Sequence, residues 1–124
     1  MILCDTNILI EFYKNNAPIK QILAALGVAQ LGISVVTAGE LYFGARDKQE
    51  LGQIQKHLAL LHLYPLDTQT STVFLNLLGD YALSHRLSIP DALIAATALQ
   101  HQLPLYTLNL KDFRYIPGLQ LYQP

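Results

Sequence analysis

The chain has 124 residues, a formal net charge of −1 and a single cysteine, with 52% of its residues apolar and only 14% charged. This length supports one domain around one core, Cys4 alone excludes an internal disulfide or a thiolate zinc site, and apolar runs such as LALLHLYPL fall short of the ~20 residues a membrane span needs. No basic segment leads into a long apolar stretch as in a secretory signal, so a cytoplasmic protein is expected, and the thin surface charge leaves apolar surface for a homodimer or another partner.

In chain order, ILCD reads as a first buried strand, and Asp5 or Thr6 can cap a helix through NILIEFY. Pro18 opens a second helix, PIKQILAALG, which Gly27 closes. GISVV is the second strand. Thr37 followed three residues later by Glu40 matches a capping box for the helix AGELYFGAR. Asp47 begins another helix running into HLALLH, and LYPLD is the third strand. Residues 69–85 form a long amphipathic helix with Val73, Leu77, Tyr81 and His85 four apart along one flank. Pro90 starts a last helix, DALIAATALQHQ, and LPLYTLN and LQLY supply a fourth and a fifth strand. Strands alternating with helices of these lengths imply right-handed crossovers. The expected fold is a Rossmann-like three-layer α/β/α domain over residues 1–124, with a central parallel sheet of four to five strands.

Three acidic residues stand where packing gives no reason for a carboxylate: Asp5 in ILCDTN, Glu40 in ISVVTAGEL and Asp91 in IPDALIAATAL. An unpaired carboxylate in low dielectric costs several kcal/mol or gives up its charge. In open parallel sheets the reactive groups lie beyond the carboxyl ends of the strands. Asp5 ends strand one, Glu40 lies one turn into the helix after strand two, and Asp91 is in the first turn of the helix before strand four. YTLN adds Thr107 and Asn109, with Asp112 three residues further on. Clustered carboxylates repel, and a hard divalent cation, Mg²⁺ or Mn²⁺, removes that penalty.

Each acid also has a local explanation. Glu40 and Asp91 suit the first turn of a helix, and Asp5 suits an N-cap. The coincidence of all three at one sheet edge is what favours a shared site. Thr6 and Asn7 can tighten the strand-to-helix turn or orient Asp5. His57, His62, His85 and His101 lie in helical settings without metal-ligand spacing and read as surface or helix-end residues. If the three acids hold a cation, eight basic residues face six remaining acids, a mildly basic surface. Arg46, Lys48, Lys111 and Arg114 are the candidate phosphate contacts.

The ordered set CDTNILIE, VVTAGELYFGA, IPDALIAATAL and LYTLNLKDFRYIPGLQL resembles the PIN-domain ribonucleases, specifically the VapC toxins of type II toxin–antitoxin modules, and the resemblance runs from Ile2 to Leu121. It implies a PIN-like fold and a Mg²⁺- or Mn²⁺-dependent endoribonuclease acting on tRNA or ribosomal RNA loops, usually a homodimer held inactive by a cognate small antitoxin. Asp5, Glu40 and Asp91 match the family's three acids, which implies that they hold the metal. Asn109 matches a fourth catalytic position filled by Asp or Asn, and Thr6 and Thr107 match accessory hydroxyls. Asn109 in place of a carboxylate leaves three certain acids and favours one firmly held metal; Asp112 is an accessory candidate. The first helices, around Ile8, Phe12 and Leu23, are the expected seat of an antitoxin segment. Two other readings differ in class. One is a PIN domain that binds RNA or a partner without cutting. The other is a metal-dependent phospho-receiver domain with Asp67 as its phosphate acceptor, which lacks the usual acid pair after strand one.

Overall fold

The computed structural model describes all residues from Met1 to Pro124. Four short strands, β1 (Ile2–Cys4), β2 (Leu31–Ser34), β3 (His62–Tyr64) and β4 (Leu105–Tyr106), form a parallel sheet in the order β3-β2-β1-β4. Six helices connect them: α1 (Thr6–Tyr13), α2 (Ala17–Leu26), α3 (Val35–Phe43), α4 (Lys48–Leu58), α5 (Thr68–His85) and α6 (Ile89–His101). The chain steps outward from β1 to β2 to β3, then returns to place β4 on the other side of β1. The strand order therefore reverses between β1 and β4, where open α/β sheets build their sites. A phospho-receiver sheet runs 2-1-3-4-5, so this order rules out that reading.

Side-chain alternation along β1 explains the three layers. Ile2 and Cys4 point into one core with Ile8, Leu9, Ile19, Leu23, Leu41, Ile54 and Leu58 from α1–α4. Leu3 points the other way, into a second core with Leu77 of α5, four alanines and Ile94 of α6, and Phe113 and Ile116 near the C-terminus. A central strand covered on both faces must be apolar throughout, as ILC is. Burial without a neighbouring cation, with Asp5 adjoining, pushes the Cys4 thiol up to about 12, so it is an inert core filler.

Several element boundaries differ from the expectation. Val35 and Val36 belong to α3 rather than to β2, because Ser34 is the N-cap: its Oγ accepts from Val36 N at 3.0 Å and Thr37 N at 3.3 Å. Thr37 is thus buried in the first turn and does not cap, and Glu40 lies a turn deeper than the capping box implied. The helix capped by Asp47 stops at Leu58, and residues 62–64 become β3, an edge strand that is largely exposed rather than buried. His62 is accordingly a strand residue rather than a helical one. LQLY is not a fifth strand. It contributes one parallel bridge, Leu105 to Leu121, because β4 offers only two residues and Pro117–Gly118 turns the chain just before it.

Asp5, Asn16, Asp47, Asp67 and Ser88 cap α1, α2, α4, α5 and α6 through their side chains. Asp67 caps α5 at the end where α6 finishes, near His101, and Gln100 of α6 donates to Gln69 of α5. These contacts make α5 and α6 antiparallel, so the end of α5 lies beside the start of α6, which carries Asp91.

Candidate active site

Asp5 follows β1 at the reversal point and is 5% exposed. Its backbone N–H donates to Tyr106 O at 2.9 Å, which fixes it against β4. Both carboxylate oxygens are occupied: Thr6 N donates to Oδ1 at 2.7 Å and Thr107 Oγ1 donates to Oδ2 at 2.8 Å. The direction of the second bond is dictated by its surroundings. Thr107 Oγ1 already accepts from Asn109 N at 3.0 Å and from Asn7 Nδ2 at 3.4 Å, so its single proton is left for Asp5. Asn7 also accepts from Leu108 N at 3.3 Å and so ties the start of α1 to the loop after β4.

Glu40 reaches the same region from the second turn of α3. Thr6 Oγ1 donates to Glu40 Oε1 at 2.8 Å and lies 3.0 Å from the buried Thr37 hydroxyl. Thr6 therefore connects the backbone beside one acid to the side chain of another. Asp91 stands in the first turn of α6, where Ser88 Oγ accepts its N–H at 3.2 Å. Asn109 and Asp112 are both exposed; Asn109 precedes the short 3₁₀ turn Leu110–Asp112 and its side chain makes no capping bond.

The electrostatics put the acids within reach of one another's charge. Burial raises the Asp5 carboxyl, the bonds from Thr107 and Thr6 pull it back, and Glu40 and Asp112 add repulsion. Asp91 is raised to about 6, first by burial, then by Asp5 and Asp112, with Glu40 a smaller contribution and the Ser88 bond opposing. Glu40 and Asp112 thus act on Asp5, and Asp5, Asp112 and Glu40 act on Asp91, in each case disfavouring the charged form. No three of them, however, surround a common point as direct ligands. The expectation of three carboxylates on one ion is not met by the side chains as they stand, because Glu40 is turned onto Thr6 and Asp5 onto Thr107. The donor set still fits a hard cation. It is all oxygen, free of His and Cys, and Mg²⁺ typically binds through one or two carboxylates with waters completing its shell.

Comparison with known proteins decides the family. Residues 2–119 match the PIN domain model, and the chain is 30% identical over 97% of its length to Ribonuclease VapC1 of Rickettsia felis, covering 93% of that protein. The chain belongs to the PIN-domain family, among its VapC-type members. A toxin–antitoxin complex from Klebsiella pneumoniae superposes with a TM-score of 0.83 at 33% identity, with full coverage of both chains. A DNA-bound VapBC from Salmonella typhimurium gives 0.86 at 25% identity over 98% of each.

In this PIN domain the candidate basic residues separate. Lys111 and Arg114 are exposed on the turn after β4, beside Asp112, and make no ion pair, whereas Arg46 is held by Glu50 at 2.8 Å, the only salt bridge in the chain. Arg46 and Glu40 line one groove of about 620 Å³ with Ile10, Tyr13, Leu41 and Ile54. The expected apolar strip is corrected here: Ile8 and Leu23 are core residues, and Phe12 packs against that core and stacks on His57. Ile10, one face round from Ile8, is the exposed residue.

Sequence reasoning missed Ser34, which caps α3, read Thr37 as the cap rather than as the buried partner of Thr6, and saw Asn7 only as a turn residue or an orienter of Asp5. The pattern S-x-x-T before Glu40 carried a signal, since a Ser three residues ahead of the supposed cap can itself accept from the Val36 and Thr37 N–H groups and start the helix a turn earlier. Nothing in the sequence paired Asn7 with Thr107, one hundred residues away.

Proposed function

We propose that this chain is a metal-dependent endoribonuclease, the toxin of a VapBC-type module, acting in the cytoplasm on exposed loops of tRNA or ribosomal RNA. The observation that carries the reading is the convergence of acids from separate segments at the sheet's reversal point: Asp5, held by Thr107, and Asp91, whose charge is disfavoured first by burial and then by Asp5 and Asp112. Function is the simplest explanation for a buried charge conflict that a single Asp-to-Asn change would relieve.

Asp5 and Asp91 would hold Mg²⁺ or Mn²⁺, with Glu40 as a direct or water-mediated ligand. When bound, such a cation supplies positive charge that acidifies water and offsets charge growing on the scissile phosphate. Thr107 orients Asp5 through its fixed hydrogen bond. Thr6 positions Glu40, whose free Oε2 can accept the proton of the attacking water. Asn109, at the pocket's rim, can donate its amide to a phosphate oxygen, and Asp112 adds negative charge without a contact to either acid. No Ser, Cys or His nucleophile is required. Lys111 and Arg114 stand on the side from which a phosphate chain can approach.

The names of the relatives support an antitoxin partner, and the groove lined by Ile10, Tyr13, Leu41 and Ile54 leads to Glu40, so an occupant of that groove controls the pocket. Phe43, 94% exposed, and Leu83, 99% exposed, leave apolar surface for a homodimer.

The test is incubation of total tRNA and ribosomal RNA with antitoxin-free protein in Mg²⁺, Mn²⁺ or EDTA, beside Asp5→Asn. Discrete cuts that need metal and vanish in the variant are expected. Folded protein that cuts nothing under any metal would return the choice to a non-cutting binding module.

A further inference from the structure

Next to the carboxylates stands an aromatic cluster that the chemistry above does not use. His85, the last residue of α5, and Tyr115, three residues beyond Asp112, lie face to face with ring centroids 3.9 Å apart and an interplanar angle of 15°. Tyr81 meets both edge-on, at 5.6 Å from His85 and 5.1 Å from Tyr115. Topology brings the cluster to the acids: α5 ends beside the start of α6, where Asp91 is, and Tyr115 follows the turn after β4. The Tyr115 phenol is raised by burial and then by Asp112 and Asp91, so its ring lies within the field of the same carboxylates.

Two features distinguish this stack from ordinary packing. Tyr115 stacks on the imidazole and Tyr81 meets it edge-on, yet His85 remains exposed. Arg86 follows His85 and Arg114 precedes Tyr115 in the chain, with Lys111 on the turn just before; all three are exposed and none is in an ion pair. Arg86 also holds a left-handed conformation, φ +54°, where glycine is the ordinary choice, and so turns the chain sharply from α5 towards α6. An exposed aromatic ring with unpaired cations next to its stack in the chain, continuous with an acidic pocket, has the makings of a single-strand binding surface: stacking for a base and positive charge for the phosphates.

We propose that the outer face of His85, backed by Tyr115 and braced by Tyr81, is the platform on which an unpaired nucleobase of the RNA stacks, presenting the adjoining phosphodiester to Asp5 and Asp91. The proposal rests on the ribonuclease reading. It assigns His85 as a substrate-contacting residue and Tyr115 and Tyr81 as positioning residues that act through it. Stacking is tolerant of base identity, so the platform selects unpaired over paired nucleotides rather than one sequence.

The test uses single-stranded RNA oligonucleotides with 2-aminopurine, or an abasic site, at one position, bound by the full chain with Ca²⁺ in place of Mg²⁺ to hold off cleavage. Wild-type protein quenches the 2-aminopurine and binds the abasic probe less tightly. His85→Ala loses the quenching and weakens binding by about 5- to 150-fold, the range expected for one base–aromatic stack, and in Mg²⁺ its loss falls mainly on KM. His85→Phe restores both, which a merely structural role for the imidazole would not predict. Tyr115→Leu, with α5 intact by circular dichroism, gives a partial loss in the same direction. Equal affinity for both probes, or His85→Ala indistinguishable from wild type, would overturn the platform while leaving the nuclease standing. Wild-type protein that binds neither probe would overturn the platform, and only if it also cuts no tRNA or ribosomal RNA under any metal would the nuclease fall with it.

Discussion

Thr107 and Asp5, separated by 102 positions in the chain, are joined by a 2.8 Å hydrogen bond whose direction is forced by two other donors on the threonine oxygen. This bond spans the point where the strand order reverses and fixes one oxygen of the most buried acid in the pocket. Thr107→Val keeps the shape and removes the proton. The Asp5 carboxyl should then rise further, the protein should lose about 1.5–3 kcal/mol in urea unfolding at neutral pH, and the Mn²⁺ midpoint should move to higher concentration. Thr107→Ser should recover most of both.

The repulsion around Asp91 predicts an unusual pH dependence for metal-free protein. Its folded pKa, about 6, exceeds the unfolded value near 4, so the folded state binds more protons between these limits and this group's contribution to stability increases as pH falls from 7 to 5. Partial solvent screening reduces the effect to about 1 kcal/mol. Asp5, also raised, adds in the same sense. His57, lowered by burial, opposes it over part of the same window. The quantity to read is therefore the difference between wild type and Asp91→Asn in urea midpoints at pH 5 and pH 7. Asp91→Asn should be the more stable protein at pH 7, with the gap closing at pH 5.

Metal should invert that ranking. Any ion bound by the folded state alone stabilises it by about 2.7 kcal/mol at a hundredfold excess over Kd. Mn²⁺ should raise the wild-type melting temperature, EDTA should reverse the rise, and Asp5→Asn and Asp91→Asn should show little or none. A uniform response in all three proteins would place the ion elsewhere.

Gly32 in β2 tests the sheet independently of the chemistry. A Cβ there would meet Tyr64 Cε2 at 2.7 Å and Cδ2 at 3.3 Å across the β2–β3 pair. Gly32→Ala should cost about 1–3 kcal/mol, as overpacking does, while Gly32→Ala with Tyr64→Leu should recover part of it. Metal binding per folded molecule should be unchanged.

What the sequence made legible follows from how local each signal was. Asp5 was both the cap and the buried acid it looked like, because a single residue between a strand and a helix serves both roles within a few ångströms. The burial of the ILC strand and the start of α6 beside Pro90 were likewise local. VVTAGEL misled because two β-branched residues after a strand suit either a continued strand or a helix start, and only the buried Ser34 hydroxyl decides. LQLY had strand composition but no strand long enough to pair with. The site's wiring was hidden, since Thr6 to Glu40 and Asn7 to Thr107 are contacts between segments that only the sheet order brings together. The His85–Tyr115 stack escaped for the same reason: each ring had a satisfactory helix-face or core explanation alone.

The ends of the cleaved RNA give the most direct test of hydrolysis at these acids. Hydrolysis by a water activated at Asp5, Asp91 and Glu40 leaves a 5′-phosphate and a 3′-hydroxyl, so products should accept ligation to a 3′-hydroxyl adaptor without phosphatase or kinase treatment, and Asp91→Asn should yield none. Products ending in a 2′,3′-cyclic phosphate, formed equally by wild type in EDTA and by Asp91→Asn, would contradict a metal-dependent carboxylate site.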